Sequence, residues 1–201
     1  MKMTGSWHVY SAGERWQKPP SQARFVVEAG ERLAVCFNAP VVELLAAGGE
    51  QVHPSLTGLG PDVLKPPVDL VEVRRRAAGR PVSMSIGELL LDQQVVSGIG
   101  NIWRCESLFV RRTDPFAAHA QLTDDDLDAL VTAAADMMMR SARPEAAGGR
   151  DFGGGTDRPW VYGRNRRPCY RCRTPIRRAH LGDQARLVYW CPSCQDAPAT
   201  A

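Results

Sequence analysis

The chain has 201 residues, 44% of them hydrophobic and 23% charged, with a formal net charge of +3. That is enough apolar material for one large domain or two small ones with real cores, so disorder is not the default reading. No apolar run approaches the ~18 residues of a membrane span and the first ten residues lack the apolar centre of a signal peptide, so a soluble cytoplasmic protein without a membrane partner is expected.

The opening "MKMTGSWHVY" alternates as a half-buried strand does over Ser6 to Tyr10, with only a few residues ahead of it. Further strands are expected over Ala23 to Ala29, Arg32 to Asn38 and Val41 to Leu44, with "EAGE" as a tight glycine turn between the second and third. Together they read as a piece of antiparallel sheet. The stretch "GLGPDVLKPPVD" breaks the strand pattern and places a domain boundary near Pro66 and Pro67.

Helices are expected over Val68 to Ala78, Ser85 to Leu91, Asn101 to Val110 and Asp124 to Ser141. Thr123 and Asp126 have capping-box spacing, and Asp124 and Asp125 suit the positive end of the last helix. Its Met137, Met138 and Met139 read as core filling. "EAAGGRDFGGGTDRP" then reads as a flexible loop, and no internal repeat is evident.

"GIGN" at Gly98 to Asn101 stands directly before a helix. Glycines there let backbone N–H groups approach an anion, and the helix N-terminus favours negative charge. Asn101 could cap that helix and also donate to a phosphate.

The strongest local signal is Cys169-x2-Cys172, eighteen intervening residues, then Cys191-x2-Cys194. Two knuckles at this separation match a structural site for one zinc ion bound by four thiolates. Disulfides are disfavoured in a cytoplasmic chain, and two paired CxxC knuckles rarely serve redox chemistry. Metal would supply stability that so short a ribbon cannot draw from burial. The stretch between the knuckles reads as a hairpin with a return strand Leu187 to Trp190 and Arg186 on its tip side, a plausible phosphate or groove reader. His180 reads as surface, and Cys36 and Cys105 as buried small hydrophobes.

Charge is unevenly placed: from Arg158 to Arg186 there are nine Arg against one acid, Asp183. A solvated basic tail is one reading. Tyr162, Tyr170, Tyr189 and Trp190 among those arginines favour the other, a polyanion-binding surface.

These residues resemble the formamidopyrimidine-DNA glycosylase and endonuclease VIII family. "LLLDQQVVSGIGNIWRCESLF" is similar to its helix-two-turn-helix motif, and "VYGRNRRPCYRCRTPIRR…QARLVYWCPSC" to its C-terminal zinc finger. With "LGPDVL" and "KMTGSW" the resemblance covers nearly the whole chain. It implies an α+β chain in five parts. These are a partial antiparallel β-sandwich over 1–66, the helix-two-turn-helix domain over 67–145, a Gly-rich loop over 146–160, the zinc finger over 161–195 and a tail over 196–201.

The implied function is base-excision repair by a bifunctional DNA glycosylase and apurinic-site lyase, acting on damaged double-stranded DNA as a monomer. Asn101 and Gly100 would meet the DNA backbone, and Arg186 would grip phosphate and assist elimination. Met3 would fill the gap left by the flipped base. Cys169, Cys172, Cys191 and Cys194 would bind zinc.

The family's nucleophilic N-terminal Pro, the Glu after it and an early-strand Lys are not recognisable in these residues, and Met1 and Lys2 are poor substitutes. The chain as written is therefore expected to bind DNA with little or no catalysis, and its truncated sheet to limit solubility. "CFNAPVVELL" lacks the Arg and Phe pair of many formamidopyrimidine-type members, which favours the endonuclease VIII-like branch. The rival readings are a non-enzymatic nucleic-acid-binding damage sensor and a structural zinc-ribbon subunit.

Overall fold

The computed structural model describes residues 5–143, 150–152, 158–182 and 185–195. The chain divides into two compact units, Met1–His53 and Pro54–Ala201. The first is built on three antiparallel strands, β1 (Ser6–Ser11), β2 (Ala23–Ala29) and β3 (Arg32–Phe37), with β3 in the centre. Gly30 makes the β2–β3 turn with a positive φ of 60°, a conformation open to glycine at no steric cost.

Alternation puts Tyr10, Val35 and Phe37 on one buried face, covered by Trp16. The opposite face carries Trp7, Val9, Phe25 and Val27, all exposed, and Trp7 meets Phe25 edge-on at 6.2 Å across β3. Cys36, opposite both in the sheet register, is buried as its sequence context implies.

Val41 to Leu44 is not a strand. Both edges of β3 are already taken by β1 and β2, Asn38 leaves the sheet with a left-handed φ of 55°, and Pro40 follows. Asn38 turns the chain out of the sheet and Pro40 has no N–H to give a ladder, so the segment does not run along the outer edge of β1 or β2.

The second unit begins with a short helix, α1 (Pro54–Thr57). Its start lies ahead of the boundary expected at Pro66 and Pro67, because the Gly- and Pro-rich stretch belongs to the helical core. Val63 N–H donates to the Ser97 carbonyl at 3.1 Å, Ser97 N–H donates to the Pro61 carbonyl at 2.9 Å, and Val63 is buried.

All four expected helices keep their place with trimmed or equal ends. In α2 (Leu70–Ala78) the N-cap Asp69 accepts from Glu72 N–H, and α3 (Ile86–Leu89) starts on a Ser85–Glu88 capping box. The third, α4 (Asn101–Val110), and the long α5 (Asp124–Ser141) have the expected bounds. They close on one apolar cluster that includes Val73, Ile86, Leu89, Ile99, Leu108 and Leu130. Met137 and Met138 are buried, as core filling requires, while Met139 is exposed. Among the described residues no helix is long and apolar enough to cross a membrane.

After α5, the described middle of the expected Gly-rich loop is pinned. Asp151 N–H donates to Ser141 Oγ at 2.8 Å, and Phe152 is buried against Trp103. Residues 144–149, 153–157 and the tail at 196–201 lie outside the described residues. The unit finishes with an antiparallel hairpin, β4 (Arg177–Leu181) and β5 (Arg186–Trp190).

The α5 cap can be tested directly. Thr123 Oγ1 accepts from Asp126 N–H, and the Asp126 carboxylate accepts from Thr123 N–H and hydroxyl, which holds the Asp126 carboxyl below its ordinary value. Thr123→Ala should lower stability by about 1 kcal/mol, read as a lower Tm at neutral pH. The cap's stabilisation is present above the ordinary Asp pKa and is lost as pH falls through the depressed folded-state value, so the Tm gap should narrow in strong acid.

Candidate nucleic-acid interface

Gly98 turns the chain with a φ of 100°, and Gly100 is the N-cap of α4, in extended backbone with open space where a side chain would stand. The first intrahelical bond runs from Arg104 N–H to the Gly100 carbonyl at 2.9 Å, so the N–H groups ahead of it sit at the positive end of a three-turn helix. Asn101 does not cap the helix. It is the first helical residue, and its side chain reaches across to the hairpin, where Nδ2 donates to the Leu187 carbonyl at 2.9 Å.

Arg104, one turn on, is fully buried. Its Nη2 donates to that same Leu187 carbonyl at 3.0 Å and to Asn101 Oδ1, while Nη1 donates to the Gly87 carbonyl at 3.3 Å. Nε finds no acceptor among the described residues. Burial pushes the guanidinium below its ordinary pKa; Arg186 adds to that, while Cys105 and Glu88 oppose it.

Leu187 follows Arg186 in the chain, and Arg186 stands opposite Leu181 at the turn end of the hairpin, half-buried. The tip seats directly on α3. A Cβ added at Gly87 would lie 2.6 Å from the Leu181 side chain and 2.8 Å from the Pro115 carbonyl oxygen. One added at Gly182, where φ is 72°, would lie 2.5 Å from the Glu88 carboxylate. An alanine at Gly87 would press on the Pro115 backbone, and one at Gly182 would strain the left-handed φ and have to shift the Glu88 side chain.

On its other side α4 holds the approach to the knuckles. The buried Glu106 carboxylate accepts three backbone N–H groups, from Trp160 at 2.7 Å, Val161 at 3.1 Å and Tyr162 at 2.8 Å. Burial pushes its pKa up, against the pull of those donors and of Arg164. Arg164 is itself buried, bonded to the Trp160 and Pro168 carbonyls and stacked 3.4 Å over Tyr170. It is therefore not part of the expected cationic surface. Arg166, Arg167, Arg173, Arg177 and Arg178 are exposed, while Asp183 lies outside the described residues.

The four knuckle cysteines converge, with all four sulfurs within 4.8 Å of one another. Cys172 Sγ is 3.4 Å from those of Cys191 and Cys194, and Cys169 Sγ is 3.9 Å from that of Cys194. Tetrahedral zinc with Zn–S bonds of about 2.3 Å would set sulfurs about 3.8 Å apart, so the donor set fits a soft tetrahedral ion. The Thr174 hydroxyl and N–H hold the Cys172 thiol down to about 6, while burial raises Cys191 and Cys194. Cys105 is buried as expected, beneath Tyr189 N–H, and His180 is exposed. Met3 lies outside the described residues.

Three buried polar side chains at this site escape a reading by motif: Arg104, Glu106 and Gln195, whose amide bridges Cys191 N–H and the Thr113 carbonyl. One signal was present. Arg104 lies one helical turn from Asn101 and so shares its face, and Glu106 interrupts an otherwise apolar stretch of that helix.

A helical domain that carries a four-cysteine hairpin on the N-terminal turn of one of its helices defines a recognisable class of protein. Residues 59–152 match the family described as the formamidopyrimidine-DNA glycosylase H2TH domain. The chain is 35% identical over 207 residues to a probable endonuclease 8 2 of Streptomyces coelicolor, covering 99% of this chain and 71% of that protein. It is 30% identical to the DNA-(apurinic or apyrimidinic site) lyase Nei2 of Mycolicibacterium smegmatis, covering 98% and 74%.

In fold it is similar to the Lactococcus lactis formamidopyrimidine-DNA glycosylase bound to DNA containing an apurinic site, with a TM-score of 0.76 and 18% identity over 98% of this chain and 72% of that one. A MutM complex with DNA containing carbocyclic 8-oxo-G gives a TM-score of 0.77 at 19% identity, with the same coverage. The chain belongs to the formamidopyrimidine-DNA glycosylase and endonuclease VIII family.

Glu106→Gln tests how the ribbon is held. An amide replaces one of the two accepting oxygens with a donor, leaving at least one buried N–H unmatched. The expected loss is about 1–3 kcal/mol, read by calorimetry as a lower Tm with the four cysteines intact.

Proposed function

We propose that this chain is the DNA-holding part of a base-excision repair glycosylase and apurinic-site lyase of the endonuclease VIII-like branch. It would act on duplex DNA carrying oxidised or otherwise damaged bases, as a monomer, in the cytoplasm or nucleoid. The observation that carries the reading is the meeting of the α4 N-terminal turn with the Arg186 end of the hairpin, through the carbonyl of Leu187.

In this reading the open N–H groups at Gly100 and Asn101 and the guanidinium of Arg186 take backbone phosphates flanking the lesion. Arg186 also assists elimination by stabilising negative charge on the departing phosphate. Met3 fills the emptied base stack. Cys169, Cys172, Cys191 and Cys194 hold one structural zinc ion, which locks the knuckles and keeps β4 and β5 in register.

The endonuclease VIII-like branch is supported by the relatives' names and by the absence of an Arg and Phe pair from "CFNAPVVELL". No residue of this chain matches the family's Pro and Glu pair or its lysine.

The test is titration of the 201-residue chain into a fluorescent duplex carrying an abasic-site analogue. Arg186→Ala and Asn101→Ala should each weaken binding, and Arg186→Ala should reduce the salt slope by about 0.9, the share of one phosphate contact. Unchanged affinity in both variants would overturn the reading.

Metal analysis should find one zinc per chain. Its removal by chelation should lower the Tm and weaken binding to the duplex.

A further inference from the structure

Arg104 is the largest fully buried side chain among the described residues, and the phosphate-binding role proposed above for Asn101 and Arg186 makes no use of it. Burying a guanidinium is costly unless its donors are met and its geometry is needed. Two of its three nitrogens are met, and every acceptor is structural: the Gly87 carbonyl on α3, the Asn101 side-chain oxygen on α4 and the Leu187 carbonyl on β5. No carboxylate pairs with it among the described residues, so it does not serve as half of an ion pair.

Its planar fork instead joins three elements. By donating to Asn101 Oδ1 it fixes which end of that carboxamide faces the hairpin, so Nδ2 is directed to Leu187. By donating to Leu187 it holds the residue next to Arg186 against α4. Lysine, with one ammonium on a flexible stem, cannot span three acceptors in a plane.

We infer that Arg104 is a positioning residue for DNA binding: it orients the Asn101 carboxamide and sets the distance between the α4 N-terminus and Arg186, without itself meeting the DNA. The inference rests on the DNA-holding reading above. It adds that the two phosphate-binding groups act as one unit because a buried guanidinium bolts them together. Groups joined in this way should lose affinity non-additively.

The experiment is a double-mutant cycle. Arg104→Met and Arg104→Lys are made alone and in the Asn101→Ala background. Each protein is titrated into the abasic-analogue duplex, zinc content and Tm are recorded, and the Asn101 side-chain amide signals are followed by 15N NMR. Arg104→Met should weaken binding about ten-fold in the parent and less than about two-fold once Asn101 is alanine, with Arg104→Lys in between.

The Asn101 amide signals should shift in both Arg104 variants while zinc content stays at one per chain. Additive losses, or unshifted Asn101 signals, would overturn the inference. If Arg104→Met fails to fold, Arg104→Lys carries the same cycle and the same signals. Should Asn101→Ala and Arg186→Ala leave affinity unchanged while the Asn101 signals still move, the DNA-holding reading fails and the clamp stands.

Discussion

Two buried charges of opposite sign on one helix determine where the ribbon stands. Glu106 and Arg104 both lie on α4, yet neither forms a direct ion pair among the described residues. Glu106 takes the N–H groups of the segment entering the knuckles, and Arg104 reaches a carbonyl of the strand leaving the hairpin turn. Backbone groups cannot be mutated away from their positions, so this arrangement depends only on the path of the chain. A small ribbon with little core of its own gains a fixed seat without needing a large apolar interface. Cys105 and Phe109, on the same helix, close the contact by packing against Val161, Ile176 and Val188.

The same helix explains the meaning of the glycine turn before it. A bare GxGN motif is compatible with many turns. Here the helix it opens is buried along most of its length and holds the hairpin across its first turn, so its N-terminal N–H groups are presented from a rigid support. The cysteine tetrad fixes the far end of the hairpin, while Arg171 ties one knuckle back to the Phe109 carbonyl at the C-terminal end of α4. The ribbon is thus held at both ends of a single helix.

Much of this was legible in the sequence where local chemistry decides structure. The bounds of α4 and α5 follow from apolar spacing and, for α5, from the Thr123–Asp126 box, and the knuckle spacing brings four sulfurs together. What was not legible depended on contacts distant in sequence. Val41 to Leu44 has the composition of a strand, but Asn38 and Pro40 carry the chain out of the sheet before it begins. The Gly- and Pro-rich stretch around Pro61 reads as a linker until its pairing with Ser97 draws it into the helical core. Asn101 has the chemistry of a cap, but its partner lies 86 positions further along the chain. Periodicity reports whether a side chain is buried, not which carbonyl it meets there.

The close seating of Gly87 and Gly182 has a mechanical consequence. With no clearance for even one methyl group between the hairpin tip and α3, the tip cannot move toward the helices without displacing the Leu181 or Glu88 side chain. A load applied at Arg186 reaches the helical core through those side-chain contacts and through the Arg104 fork on the Leu187 carbonyl. The ribbon then acts as a strut with its tip braced on α3, and zinc-site strength and tip rigidity become separate properties that a change in sequence could tune independently.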